Sequence, residues 1–164
     1  MEFTEYLANV EKKLQRYFDI EKDYIYKEIK IDLFAKYFVR NERYIMTKKA
    51  TVYGIESNEY CLLKHYQELN LQDLEEFIDC LKSAVEDFVN PHEEHMCSKI
   101  NGIIVVDQSC SQDLINIVKK FKFHKGFAFG FKGWVDIGLI LVILEKGEVI
   151  ANKKGKEAQK VYQV

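Results

Sequence analysis

Apolar residues recur at helical spacing over residues 3–18, with Phe3, Leu7, Val10, Leu14, Tyr17 and Phe18 on one side. The pattern predicts an amphipathic helix with one buried face and Thr4 as its N-cap. From Tyr24 to Tyr66 the period shortens to two: Ile29, Ile31, Leu33, Ala35, Tyr37 and Val39 take alternate positions, and tyrosine and phenylalanine add strand propensity. Strands are expected at 22–28, 30–39, 42–56 (bent or interrupted near Lys48) and 59–66, with turns at residues 40–43 and at Ser57-Asn58. Helical spacing then returns. Asn70 caps a second helix with Asp73 three residues on, and Leu71, Leu74, Ile78, Leu81, Val85 and Phe88 form its inward stripe before Asn90-Pro91 ends it. A loop over residues 92–99 leads to a β-branched run, Ile103 to Asp107, of the kind buried on both faces of a sheet. Ser109 and Gln112 form a capping box for a third helix, with Leu114, Ile115, Val118 and Phe121 facing inward. Residues 126–151 are the most apolar stretch and read as a strand, a bend, a buried strand and a hairpin turning at Lys146-Gly147. The lysine-rich residues 152–162 allow one short final helix.

The order helix, antiparallel strands, helix, strand, helix, strands predicts one α/β (α+β) domain over 1–164, its mixed, largely antiparallel sheet carrying helices on both faces. If the strand after the third helix is parallel to the one before it, their crossover is right-handed.

Composition changes this picture little. With 48% hydrophobic and 13% aromatic residues, 164 residues can bury one sizeable core. A single proline and eight glycines argue against long linkers. A formal net charge of −2 gives no global pull toward nucleic acid or membrane. Residues 1–13 lack a signal-peptide pattern, and the longest apolar run, 137–144, is far below the roughly 20 residues that cross a bilayer. A soluble, cytoplasmic protein is expected, with Cys61, Cys80, Cys97 and Cys110 as free thiols.

Candidate chemistry lies in three places. Residues 121–134 set Phe121, Phe123, Phe127, Phe129 and Phe131 on one side of an extended chain, with Lys122, His124 and Lys132 on the other. Such a face could stack bases and hold phosphates. Alternation is also what a half-buried strand needs, and the preferred reading packs the phenylalanines into the core. Asp32, Asp107 and Asp136 stand where no acid is structurally required, and a cluster of them could hold a divalent metal. More often such acids cap helices or pair with lysine. His92, His95 and Cys97 are metal-ligand types, but only Cys110 and His65 could complete the set, and no second spaced pair marks zinc. No phosphate-binding glycine loop is present, and no catalytic residue, metal or cofactor is assigned.

Ile31-Asp32-Leu33-Phe34-Ala35, followed by strands and by Leu62-Leu63-Lys64-His65-Tyr66 entering a helix, resembles a degenerate core of the PD-(D/E)xK, restriction-endonuclease-like nucleases. The element order is similar too. That resemblance implies a metal-dependent phosphodiesterase site, with Asp32 as its first acid and Lys64 as its lysine. Leu62 occupies the position of the second acid, and Glu28-Ile29-Lys30 spells the acid–x–lysine triplet but precedes Asp32. The whole chain also resembles bacterial proteins of unknown function.

These observations favour a non-enzymatic ligand- or partner-binding domain over a nuclease-like enzyme. The residues chosen for binding are Asp32, Lys64, Asp107, Lys122, Lys132, Trp134 and Asp136. Glu75, Glu76, Asp79, Glu86 and Asp87 give the second helix an acidic outer face, so the basic segments could meet it in a second copy of the chain.

Overall fold

A computed structural model describes residues 1–44, 51–92 and 97–164. Among them are three α-helices, α1 (Phe3–Leu14), α2 (Leu71–Phe88) and α3 (Gln112–Lys120). Seven strands accompany them: β1 (Asp19–Tyr26), β2 (Ile29–Tyr44), β3 (Thr51–Tyr66), β4 (Cys97–Val106), β5 (His124–Gly126), β6 (Trp134–Ile143) and β7 (Glu148–Ala151). They form one sheet in the order β1-β2-β3-β4-β6-β5, with β7 also on β6. The pairs β3–β4 and β4–β6 are parallel, and the other four are antiparallel. The expected mixed, largely antiparallel sheet is therefore present.

Parallel neighbours need crossovers, and α2 and α3 supply them. Both pack on one face: Leu74, Phe77 and Leu81 from α2 and Leu114 and Val118 from α3 join Leu62, Ile104 and Ile137. On the other face Tyr6, Val10 and Leu14 of α1 meet Leu33, Leu63, Ile103 and Ile140, together with Tyr162 from the C-terminal segment. β4 and β6 lie between these layers, which is why both are buried along almost their whole length and carry the apolar runs 103–106 and 137–143.

Several local expectations shift. Helix α1 ends at Leu14 instead of Phe18, because the amides of Tyr17 and Phe18 both turn back to the Leu14 carbonyl and β1 starts at Asp19. Its N-cap is Glu2 instead of Thr4. The turns expected at 40–43 and at Ser57-Asn58 are strand: Val39 pairs with Ser57 and Phe38 with Asn58 in a continuous β2–β3 ladder. The bend or interruption expected near Lys48 in a strand over 42–56 falls outside the described residues. A two-residue turn at Lys27-Glu28, both left-handed, joins β1 to β2 as tight hairpins require. Asn70 caps α2 as expected, its side chain accepting the Asp73 amide at 2.8 Å. Leu71 is exposed, and Phe77 takes the buried place instead. Ser111, not Ser109, caps α3. Ser109 instead gives its amide and hydroxyl to the Glu145 carboxylate.

The C-terminal residues cross the α1 face of the sheet. Tyr162 is buried there, and the Tyr6 hydroxyl donates to its carbonyl at 2.8 Å. The Lys13 ammonium donates to the carbonyls of Val161 and Gln163. Close approach of this segment depends on two glycines: a Cβ on Gly138 would lie 3.0 Å from the Gly155 Cα, and one on Gly155 would lie 3.0 Å from the Leu139 carbonyl oxygen.

Candidate functional site

The residues singled out for chemistry separate into two groups at opposite ends of the sheet. Asp32, Lys64 and Asp107 all lie where β3 and β4 end, but only the two aspartates share a partner. The β2–β3 ladder stops at Leu33 opposite Leu63, and the Asp32 carboxylate takes over as acceptor for the His65 amide at 2.8 Å. The His65 ring lies 4.0 Å from the Phe3 ring in a parallel stack and its Nε2 is 2.8 Å from Asp107 Oδ1. His65, weighed in the sequence only as a zinc completion, is thus the centre of this group. Lys64 does not pair with Asp32: its ammonium donates to the Lys30 carbonyl at 2.9 Å and lies over the Tyr66 ring. Leu62, at the position of the nuclease family's second acid, is fully buried against the α2 side. An open groove of about 620 Å³ adjoins Asp107, lined by Tyr66, Glu68 and Gln108 as well. Among the described residues no three His, Cys, Asp or Glu side chains gather as a metal site. His92 and Cys97 are described, whereas His95 lies outside the described residues. The group orients an imidazole but supplies no metal-ligand set.

The second group lies around the β5–β6 hairpin. Ladder positions set His124 opposite Asp136 and Gly126 opposite Trp134. Asp136 is largely buried, and its two oxygens meet His124 Nδ1 at 2.6 Å and the Lys154 ammonium at 3.3 Å. Its charge is therefore compensated, as a buried carboxylate requires. The expected strand over 121–134 is present only at His124–Gly126. Phe121, Phe123 and Phe127 pack against the helical core as the strand reading expects. From Ala128 on it fails: Ala128, Phe129, Gly130 and Gly133 all have positive φ, and the chain folds into a tight loop. That loop is held by its own backbone, Phe127 exchanging bonds with Lys132 and Gly133 while the Gly130 amide returns to Phe127. Its geometry turns Phe129 fully out, leaves Phe131 73% exposed and Trp134 38% exposed, and places Lys132 on the surface. Left-handed Ala128 and Phe129 cost about 1 kcal/mol each, and strain of this kind concentrates where a loop is shaped for contact.

Residues remote in sequence complete this end of the molecule. β5 covers the edge of β6 through Asp136, and β7 covers it from Ile140 onward. Between them the buried Asn152 side chain acts as a short piece of strand. Its Oδ1 accepts the amides of Leu139 (2.9 Å) and Gly155 (2.7 Å), and its Nδ2 donates to the carbonyls of Ile137 (3.1 Å) and Phe121 (3.0 Å). Lys153, Lys154 and Lys156 are thereby fixed beside Lys119 and Lys122. A cavity of about 220 Å³ opens between Phe121, Phe123, Lys122 and His124 on one side and Lys153 and Lys154 on the other. A second, of about 410 Å³, adjoins it between Lys119, Lys153 and Lys156. The lysine run of the tail was visible in the sequence, but nothing there paired it with residues 119–124, and Asn152 carried no signal.

Part of the charge split closes within the molecule. Lys125 pairs with Glu86 at 2.9 Å and Lys27 with Asp87 at 3.5 Å, while Asp87 also accepts the Tyr26 hydroxyl.

A polar network, of which Asn101 is fully buried, lies beside the C-terminal segment. Glu59 accepts from Asn101 Nδ2 at 2.7 Å, and Lys99 pairs with Glu157 at 3.1 Å. Burial pushes the Glu59 carboxyl above its usual range against the pull of nearby Lys99. An acid whose pKa is higher folded than unfolded costs no stability while both states are protonated, and its cost grows as pH rises through that window. Glu59→Gln, which keeps an acceptor for Asn101, is therefore expected to match the native protein in thermal midpoint near pH 4 and to exceed it near pH 8. A variant less stable than native at pH 8 would show that Lys99 outweighs burial.

The family profile of a domain of unknown function (DUF8052) matches residues 2–164. No curated protein and no solved structure matches the chain.

Proposed function

The chain belongs to the DUF8052 family, and from the geometry of its β5–β6 hairpin we propose that it is a non-enzymatic, cytoplasmic binding domain whose contact surface is that loop and the lysines beside it. One observation carries the reading: two phenylalanines and a tryptophan are displayed to solvent on a loop tied by its own backbone, not lost into the core. Clustered exposed aromatic rings mark interaction sites, and lysines at their margin supply orientation. The four thiols are free, which suits a reducing compartment.

Native mass spectrometry of protein purified without chelator tests this. The native chain is expected to retain a mass increment, whether a bound molecule or a second copy, that Phe129→Ser with Phe131→Ser removes. A bare monomer in both samples, or an increment untouched by the double variant, counts against the loop.

A second reading, a metal-dependent phosphodiesterase with a degenerate site, is supported by the contacts of Asp32 and Asp107 with His65 at one sheet end, although Lys64 turns away to the Lys30 carbonyl. It predicts cleavage of a phosphodiester in the presence of magnesium or manganese that Asp32→Asn abolishes. Buried Leu62 in place of the second acid weighs against it.

A further inference from the structure

Building on the binding-domain reading, we propose that the partner is a single-stranded nucleic acid, its backbone phosphates held by Lys119, Lys122, Lys153 and Lys156 and its bases stacked on Phe129, Phe131 and Trp134.

Charge is the first argument. The chain carries a formal net charge of −2, yet two adjoining cavities at one end are walled by Lys119, Lys122, Lys153, Lys154 and Lys156. Lys154 is committed to Asp136. Among the described residues the other four have no carboxylate partner, and all four are exposed. Four uncompensated ammonium groups repel one another, and a solvated protein surface of the opposite net sign has no structural use for gathering them. A polyanion relieves that repulsion and gains from released counterions.

The second argument is the company these cations keep. The 220 Å³ cavity presents mainly apolar wall from Phe121 and Phe123 beneath a cationic rim. His124 on that rim lies two ladder positions from Gly126, which faces Trp134 at the base of the aromatic loop, a distance of about 7 Å. A strand of nucleotides alternates phosphate with flat ring, and cations interleaved with exposed aromatics are the matching surface. An acidic peptide would use the lysines and leave Phe129 and Phe131 without a role. Duplex nucleic acid hides its ring faces in the stack, so the aromatic loop would gain nothing from it. Asn152 makes the arrangement rigid, since its four hydrogen bonds fix the tail lysines to the end of α3 and the edge of β6.

Fluorescence anisotropy with a labelled 15-nucleotide oligo-dT or oligo-U, titrated with the full chain at several salt concentrations, tests the assignment. Binding is expected, with a slope of log K against log salt near −3, from about 0.7 for each of four phosphate contacts on a single strand. Lys153→Glu with Lys156→Glu should weaken it at least tenfold and flatten the slope. Phe129→Ser with Phe131→Ser should weaken it while leaving the slope unchanged. Polyphosphate of matched length should compete poorly. If the oligonucleotide fails to bind while the aromatic loop still retains a partner in native mass spectra, the nucleic-acid assignment falls and the binding-domain reading stands. Equal competition by polyphosphate, with no effect of the aromatic substitutions, also overturns it. A bare monomer together with no oligonucleotide binding removes both.

Discussion

Asn152→Ala is expected to lower the stability of the fold by about 3–5 kcal/mol, among the largest effects of any single polar substitution in this chain. The side chain is buried, and both of its polar atoms are fully used across three segments of chain. Truncation leaves the Leu139 amide and the Ile137 and Phe121 carbonyls without their partner, while the Gly155 amide keeps the Asn152 backbone carbonyl at 3.1 Å. Each buried group so orphaned costs about 1–3 kcal/mol, reduced where water enters the space. Because the amide also stands in for a strand between β5 and β7, its loss uncovers the edge of the central parallel strand β6. Chemical denaturation of native and variant protein checks the magnitude. Asn152→Asp is the informative companion. It retains an acceptor for the two amides but puts a carboxylate oxygen against two carbonyls, so it should be no more stable than the alanine variant. A loss under 1 kcal/mol in either variant would mean that the tail is not fastened here. Proteolysis within residues 153–160 should accelerate in parallel, since the segment then loses its anchor to the sheet.

The second large effect is expected from Gly138→Ala, at about 3 kcal/mol. A methyl group at this position would stand 2.4 Å from Asn101 Oδ1 and 3.0 Å from the Gly155 Cα. Asn101 is fully buried and held by Glu59, and Gly155 is backbone fastened by Asn152, so neither neighbour can yield cheaply. Overpacking of this kind typically costs 1–3 kcal/mol, more where backbone must move. Gly102 offers the contrast within one sheet. A Cβ there would meet the ends of Leu81 and Phe77, flexible side chains that can repack, so Gly102→Ala should cost less than Gly138→Ala. The reverse order in denaturation midpoints would contradict the tail's close seating on β6.

Much of the architecture was legible because burial imposes periodicity. The helical stripe of α2 follows from a single buried face, the period of two over residues 29–39 follows from alternation across the sheet even though Phe34 is buried on the face opposite to Leu33 and Ala35, and the continuous apolar runs of β4 and β6 follow from burial on both faces. Local signals misled where a tertiary partner overrode them. Arg40 to Arg43 and Ser57-Asn58 have turn composition, yet each sits in a long ladder that satisfies its backbone from the neighbouring strand. The glycines and phenylalanines of residues 126–133 alternate as a strand should, but positive φ at four positions turns Phe129 and Phe131 outward, and alternation alone cannot reveal a reversal of the chain.

The sequence by itself determined the class of fold, the lack of a catalytic motif along the chain and where residue types with chemical potential fall in it. Those are properties of composition and of near neighbours along the chain, where side-chain spacing is set by backbone geometry. The tertiary structure alone decided which of these residues meet. It placed Asp32 on the His65 amide and Asp107 on the His65 ring at one sheet end, turned Lys64 to the Lys30 carbonyl, and left the second acid position to a core leucine. It also brought the lysines of residues 119–122 against those of the tail. Such meetings depend on strand order and on a buried asparagine between two edge strands, and contacts across more than thirty residues leave no periodic trace in a single chain.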